Sequence, residues 1–499
     1  MVTSCTKDIS INTLEHVLHE ITFKELRQMN QIIAAPFQLT LTENDNILEC
    51  EQIVRIIPGK RIVAFGTWNE MPVVAKLFYS SGKAKIHLKK EIEGVEALIS
   101  SGVPTPKILW SGSAQKQKIQ IILFERIMDA VNLDEIWQKK DSPEELTELM
   151  KAITLELATQ HVLGIVQHDL HLKNFLISHN KIYTLDGGSI THQHAILSKE
   201  ESIDHLALFF SQLGVGTEAL QHDLFQTYIK ARSWLVKKAN VQQLRKATLA
   251  WTKKRWERYE SKIQRNSTAF ACKKTFSTFM VYDRSYLSAE FSALLKNPEA
   301  VFQQSHLHLL KAGNSSTVIK VKIDNRYYVI KRYNIKNIFH GLRRCMRMTR
   351  AAKSWNLAQR MCLFGIPTAK PVAFIENKVL GFRGKSYFIM EYINGPHAGD
   401  YFSAYRGEDT DTPYTLIAER ILLLFKNLAR LRLIHGDLKM TNILIDHTKP
   451  TLIDLDGMVE HRTNLGLKLS LQKELKRFMK NWKDRPSVFV LFEKLIARL

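Results

Sequence analysis

Short alternating and apolar runs dominate from about residue 37 to 80, with Gly59 and Gly66 between them, and they predict a set of strands. One run, Val73-Val74-Ala75-Lys76-Leu77-Phe78, reads as a buried strand carrying a single Lys. A helical pattern follows from about Lys85 to Ser101 until Gly102-Val103-Pro104-Thr105-Pro106 breaks it and starts a new strand. Ile121 to Phe124 is a further apolar strand, followed by Glu125-Arg126-Ile127, and a helix is predicted from about Pro143 to His161. Residues 199 to about 300 read as mostly helical, and Ser202 to Phe210 has a cap followed by an apolar run.

The same order then recurs. Leu310-Lys311-Ala312-Gly313-Asn314-Ser315-Ser316-Thr317-Val318 reads as strand, turn, strand, and Tyr328-Val329-Ile330-Lys331 is a second strand with one Lys. Gly365-Ile366-Pro367-Thr368 repeats the earlier helix break, and Met390-Glu391-Tyr392-Ile393 repeats the strand end at Glu125. An internal repeat this long means two copies of one domain. The expectation is an α+β chain of two tandem domains, each a small β-rich lobe followed by a mostly helical one. The predicted boundaries are a helical extension at 1–36, a first domain at 37–265, a helical linker at 266–300 and a second domain at 301–499. In the extension Leu14, Val17, Leu18, Ile21 and Leu26 recur at helical spacing, as for a helix packed on the first domain.

A chain of 499 residues is too long for one core, and 45% apolar with 24% charged residues is the balance of a soluble globular protein. The net charge of +22 changes the picture by implying an anionic partner: nucleic acid, an acidic membrane surface or a phosphorylated substrate. The most basic stretch contains Lys331, Arg332, Lys336, Arg343, Arg344, Arg347, Arg350 and Lys353, and no acidic residue occurs from Arg326 through Ile375. Trp251 to Arg265 is basic with interleaved aromatics, which reads better as an exposed helix with packed aromatics than as a nucleic-acid surface, so nucleic acid is not expected as partner. The five cysteines lack metal or C-x-x-C spacing, which points to a reducing cytoplasm. No secretory leader and no spanning apolar run is read, so membrane contact is expected to be peripheral.

The chemistry is concentrated in His435-Gly436-Asp437-Leu438-Lys439-Met440-Thr441-Asn442 and the following Ile453-Asp454-Leu455-Asp456-Gly457. An Asp, an Asn five residues on, and an apolar strand ending in a second Asp are what phosphoryl transfer from ATP requires. Asp437 would accept the proton of the attacking hydroxyl, Lys439 would meet the transferred phosphate, and Asn442 with Asp454 would hold Mg²⁺. The first copy has Asp169, Asn174 and Asp186 in the same order, within Gln167-His168-Asp169-Leu170-His171-Leu172-Lys173-Asn174 and Leu185-Asp186-Gly187-Gly188. Lys76 and Lys331 are candidates for the α- and β-phosphates, because a Lys inside an apolar strand is costly unless paired. Glu91 and Glu93, both on the following helix, are the candidates for the partner of Lys76. Gly313, Asn314, Ser315 and Ser316 offer backbone N–H groups to phosphates, and Glu125 and Glu391 mark the two hinges where backbone would meet adenine.

Together these residues resemble the lipopolysaccharide kinases of the Kdo/WaaP type, also called InaA-like, within the protein-kinase-like fold. The carriers are the Gly-Val-Pro-Thr and Gly-Ile-Pro-Thr breaks and the two Asp-to-Asn loops with their Asp-Gly strands, covering most of residues 40–235 and 300–499. The resemblance implies ATP and Mg²⁺, a lipopolysaccharide core or other anionic glycolipid as acceptor through heptose or Kdo sugars, and a cytoplasmic protein at the inner face of the inner membrane. Three positions depart from the pattern. Gln167 stands where a His is usual, His171 replaces the loop Lys, and Ser354 stands where the second copy should carry the counterpart of Glu91. Lys331 therefore takes its partner from elsewhere, or one half is a binding or regulatory copy. Neither copy shows the A-P-E anchor of a protein kinase, which favours a non-protein acceptor. Two other readings are an atypical, RIO-like protein Ser/Thr kinase and a tandem pseudokinase scaffold for envelope assembly.

Overall fold

The computed structural model describes residues 18–28, 35–42, 46–139, 142–235, 237–304, 308–334, 348–379, 382–407 and 413–498. By its internal contacts the chain divides into two compact units, Met1–Leu146 with Thr159–Leu197, and Thr147–Ala158 with Ser198–Leu499.

The first unit is built on a six-stranded antiparallel sheet. Its strands lie in the order Phe37–Thr40, Ile47–Ile57, Arg61–Trp68, Met71–Phe78, Ile119–Glu125, Ile108–Ala114. Arg61–Trp68 shows a strict alternation of buried and half-buried positions, because successive side chains point to opposite faces. One face packs Leu39, Leu48, Ile62, Val73 and Leu123 into a core with Ile21 and Leu26. The other packs Phe78, Ile122 and Phe124 against Val95 of the helix Ala84–Ser100. Of the predicted N-terminal extension, Leu14 and Val17 lie outside the described residues, and the helix present is Phe23–Gln28.

The second unit carries a seven-stranded antiparallel sheet in the order Phe270–Lys274, Thr278–Asp283, Pro371–Val379, Phe382–Glu391, Arg326–Tyr333, Ser316–Ile323, His308–Ala312. Its last five strands repeat the arrangement around Met71–Phe78 in the first unit, with Lys331 taking the position of Lys76. The expected helical linker at 266–300 is instead mainly a hairpin. Phe270–Lys274 and Thr278–Asp283 add to the sheet edge at Pro371–Val379, and only Ala289–Lys296 is α-helical. Alternation along the hairpin serves two faces, Phe270, Cys272 and Val281 packing on one and Met280 and Tyr282 on the other, which a helical period does not fit. Residues 198–265, expected with the first domain, fall in the second unit. Within it, the Tyr259 hydroxyl bonds Gln359 Oε1 at 2.9 Å, and Trp355 Nε1 donates to the Ile263 carbonyl at 3.1 Å.

The mostly helical lobe of this unit includes Pro413–Arg430, Asn464–Lys480 and Pro486–Ile496, packed through Phe425, Phe478, Trp482 and Phe492. The chain is thus α+β, with a sheet-rich lobe and a helical lobe. The basic helix Lys238–Lys262 turns its aromatics inward: Trp251 Nε1 donates to Asp204 Oδ1 at 3.0 Å, and Trp256 and Tyr259 are half-buried. Among the described residues no helix is long and apolar enough to cross a membrane.

Candidate active sites

In the first unit the strand Met71–Phe78 and the helix Ala84–Ser100 bring Lys76 and Glu91 together as an ion pair. Glu91 is 1% exposed, so its charge is compensated only by what the fold supplies. Its second oxygen accepts from Gly188 N–H at 3.2 Å, tying the helix to the Asp-Gly-Gly turn. That turn comes so close because Gly94 has no side chain: a Cβ there would stand 1.9 Å from the Gly187 carbonyl oxygen. Glu93, the alternative partner, lies on the exposed face beside Lys89 at 3.6 Å.

Asp186 opens the turn in the left-handed region at φ 69°, which Asp adopts more readily than most residues. Lys76 Nζ and Arg61 Nη1 each stand 3.4 Å from its carboxylate. Burial alone would raise the Asp186 pKa, but these two cations outweigh it and the net shift is downward. Asn174 donates its amide N–H to the Asp169 carbonyl at 2.8 Å, and Asp169 itself is largely exposed. His171, in the place of a loop lysine, sits 3.7 Å from the Asp169 carboxylate. Its burial lowers its pKa, with the nearby carboxylates opposing, so it is held toward the neutral form. Gln167, where a His was expected, is buried and donates to Gln160, which in turn donates to Thr184 Oγ1, at 2.7 and 2.9 Å.

The second unit repeats the loop with different chemistry around it. Asn442 donates to the Asp437 carbonyl at 2.7 Å, the same closure that Asn174 makes. Asp437 forms an ion pair with Lys439 at 2.8 Å, and Arg477 stands 3.8 Å from its other oxygen. His435 is fully buried, and its Nε2–H donates to the Ile453 carbonyl at 2.9 Å. Its Nδ1 has no partner among the described residues, and burial pushes its pKa down. Beneath the loop, buried Glu474 of the helix Asn464–Lys480 accepts the backbone N–H groups of His435, at 3.0 Å, and Gly436. Gly436 is at φ 81°, and a Cβ there would meet the Gly457 carbonyl oxygen at 2.5 Å, so this loop position needs glycine.

Lys331 answers the question left by Ser354. It pairs with Asp454, and at 3.1 Å with Asp456. Burial would lower the Lys331 pKa, but Tyr333 and the two carboxylates raise it, so the ammonium is strongly held. Asp454 is left-handed at φ 64° like Asp186. Burial would raise its pKa, but the hydrogen bond with Asp456 and the Lys331 ammonium bring it well below the usual carboxylate range. Asp456 also pairs with Arg350, and its backbone carbonyl accepts from Lys353 at 2.9 Å. Ser354 instead hydrogen-bonds the Tyr333 hydroxyl at 2.9 Å.

The basic stretch is therefore partly neutralised within the fold. Lys331, Arg350 and Lys353 serve the Asp454–Asp456 turn, and Arg332 pairs with Glu299 at 2.5 Å. Lys336, Arg343, Arg344 and Arg347 lie outside the described residues. The Gly313-to-Ser316 turn joins His308–Ala312 to Ser316–Ile323, and Asn334 N–H donates to the Ser315 carbonyl at 3.2 Å. Glu125 and Glu391 end corresponding strands, but their side chains are engaged nearby. Glu125 accepts from Lys107 N–H at 2.9 Å, and Glu391 accepts from the Tyr286 hydroxyl at 2.6 Å. A hinge role there would fall to backbone groups.

Sequence reasoning did not assign roles to Asp456, Glu474 or Arg61, and it read Arg350 only as part of the basic stretch facing an anionic partner. The signal for Asp456 was present, since aligning the two Asp-Gly turns sets Gly188 opposite Asp456. Glu474 lies 37 residues beyond the aspartate whose loop it braces, and nothing local marks it.

The sequence model described as "Lipopolysaccharide kinase (Kdo/WaaP) family" matches residues 73–189 and 308–487, more than half of the chain. Each matched stretch runs from the lysine strand region through the Asp/Asn loop and beyond the Asp-Gly turn. No curated protein matches. Among solved structures the chain is similar to one titled "Structure of vaccinia related kinase 3", at 9% identity over 46% of this chain and 89% of that one, with a TM-score of 0.29. A likeness at that level carries no weight for the chemistry of this chain.

Proposed function

Because the chain belongs to the lipopolysaccharide kinase (Kdo/WaaP) family, with two kinase-like domains in tandem, we propose that it phosphorylates a sugar hydroxyl of the lipopolysaccharide inner core, on heptose or Kdo. Membership of a kinase family carries phosphotransferase chemistry and the use of ATP. The acceptor, the metal and the residue roles are the proposal.

The observation that carries the reading is the grouping in the second unit of Asp437 with Lys439, of Asn442 closed on the Asp437 backbone, and of Asp454 held by Lys331. The donor set suits Mg²⁺. Asn442 spends its amide N–H on the loop, which leaves its oxygen and the Asp454 carboxylate as hard ligands. No group of three or more His, Cys, Asp and Glu forms a metal cluster among the described residues, so phosphate oxygens would complete the shell. When bound, Mg²⁺ neutralises charge building on the β- and γ-phosphates.

Asp437 then takes the proton from the acceptor hydroxyl as its oxygen attacks the γ-phosphorus and the bond to the ADP oxygen breaks. Lys439 supplies positive charge beside the transferred group, and Lys331 orients the α- and β-phosphates. In the first unit His171 stands 3.7 Å from Asp169, where the second unit has Lys439 paired with Asp437 at 2.8 Å. That difference favours turnover in the second unit and a binding or regulatory role for the first, through Lys76, Glu91, Asn174 and Asp186. The expected location is the cytoplasmic side of the inner membrane with peripheral contact.

The test is incubation of the purified chain with labelled ATP and Mg²⁺, offering core oligosaccharide and a generic protein in parallel. Label on the oligosaccharide supports the reading. Label only on protein would establish the RIO-like alternative, and no transfer with intact nucleotide binding would establish a scaffold.

A further inference from the structure

Both units bury a strand lysine that must meet a carboxylate, but they draw it from different places. In the first unit the close partner is Glu91 on the helix, which the turn holds through the Gly188 N–H, while Asp186 of the turn, the counterpart of Asp454, stands 3.4 Å from Lys76. In the second unit the helix position holds Ser354, and the acid is Asp456 on the turn, at the position of Gly188. The helix now supplies the cations, through Arg350 and Lys353. The link between helix and turn is retained with its polarity reversed.

We propose that Asp456 is the positioning residue of the second site, holding Lys331 for the nucleotide and locking the helix Arg350–Leu363 to the Asp454 turn in place of a helix glutamate. This rests on the reading of that site as nucleotide-binding. Two features separate Asp456 from a metal ligand. Its side chain is 7% exposed, and its two carboxylate oxygens are taken by Lys331 at 3.1 Å and by Arg350. A carboxylate already shared between two cations is a poor candidate for a hydrated Mg²⁺. Asp454, by contrast, is more open, with a side chain 27% exposed. The pairing also assigns Lys331 two acids with separate tasks: Asp454 can turn to the metal while Asp456 keeps the ammonium in place.

The test transplants the first unit's solution into the second in the full-length chain. Asp456→Gly introduces the residue found at Gly188. Ser354→Glu restores the helix acid, and Tyr333→Phe, after Phe78, removes the hydroxyl that Ser354 now bonds. Thermal unfolding and MgATP affinity are read for Asp456→Gly, for Ser354→Glu with Tyr333→Phe, and for all three together, with Asp169→Ala present so that transfer reports the second site. Asp456→Gly is expected to raise the KM for ATP tenfold or more, with a smaller loss in kcat, and to lower the melting temperature. The combined variant is expected to recover most of both.

Asp456→Glu, which keeps the charge, should stay within a few-fold of wild type. Additive melting shifts, with no recovery in the combined variant although it folds, would overturn the pairing. So would an Asp456→Gly variant whose defect is cured by raising Mg²⁺, since that assigns the residue to the metal. Coupled melting shifts in a protein that binds no MgATP would preserve the pairing but overturn both its role toward nucleotide and the reading beneath it.

Discussion

Asp456 Oδ1 stands 3.1 Å from the Lys331 ammonium on a turn residue, whereas Lys76 of the first unit is met by Glu91 from a helix. The two copies thus meet one electrostatic demand, compensation of a buried strand lysine, from opposite sides of the same helix–turn junction. The first can do so because Gly94 and Gly187 let helix and turn backbones touch. The second has Leu357 and Leu455 at the corresponding places and spans the junction with charged side chains.

The catalytic assignment predicts unequal consequences of equal substitutions. Asp437→Ala should reduce transfer to core oligosaccharide by roughly 10²–10⁴-fold, the usual contribution of a positioned base. Asp169→Ala should change it far less. Mass spectrometry of core lipopolysaccharide from cells carrying each variant checks this, and equal losses would show that both units turn over.

Lys76→Met should destabilise the first unit by about 3–5 kcal/mol, since Glu91 would remain buried with its cation gone. Adding Glu91→Gln should recover a large part of that loss. Denaturant unfolding of the three variants measures it, and simple addition of the two effects would refute the pairing as an energetic unit.

His435 gives the second unit an acid-sensitive point. Its pKa is lowered in the folded state by burial, so the unfolded chain binds the proton more readily. The stabilising contribution is complete above the ordinary value of 6.5 and is lost as pH falls below it, by at most about 1.4 kcal/mol per pH unit. His435→Gln, which copies Gln167, should flatten this slope. Melting temperatures between pH 5 and pH 7.5, on the order of a unit either side of the ordinary histidine value, would reveal it.

Glu474→Ala should strand the backbone N–H groups of His435 and Gly436 and destabilise the unit by about 1–3 kcal/mol per unsatisfied donor. Because the same groups shape the Asp437 loop, transfer should fall as well. Hydrogen exchange at Gly436 that stays as protected as in wild type would contradict this role.

Gly94→Ala tests the close approach in the first unit. The added methyl has no room beside the Gly187 carbonyl, so a loss of about 1–3 kcal/mol is expected. Leu357→Ala in the second unit would only remove a half-buried side chain, and its unfolding midpoint should move for that reason alone.

Much of this was legible in the chain itself, because it depends on order and spacing. An Asp five residues before an Asn defines a loop whose amide closes on the Asp carbonyl, and Asn174 and Asn442 both do so. The apolar strand around Lys76 and the helix after it likewise narrowed the partner to Glu91 or Glu93, since all three lie in one local strand–helix unit, and the fold pairs Lys76 with Glu91. The hairpin at 270–283 was not legible. Short runs there fit either period until the edge strand Pro371–Val379 offers hydrogen bonds to one of them.

The sequence by itself determined that there are two copies, that each carries the acid–amide–acid series, and that the second lacks a helix glutamate. Only the tertiary structure decided what takes the place of that glutamate. Arg350 and Asp456 are 106 residues apart, and which of the cations in an acid-free stretch meets which carboxylate depends on burial shared between distant segments. A charge's partner is chosen by the desolvation cost of leaving it alone, and that cost does not exist until the chain has closed around it.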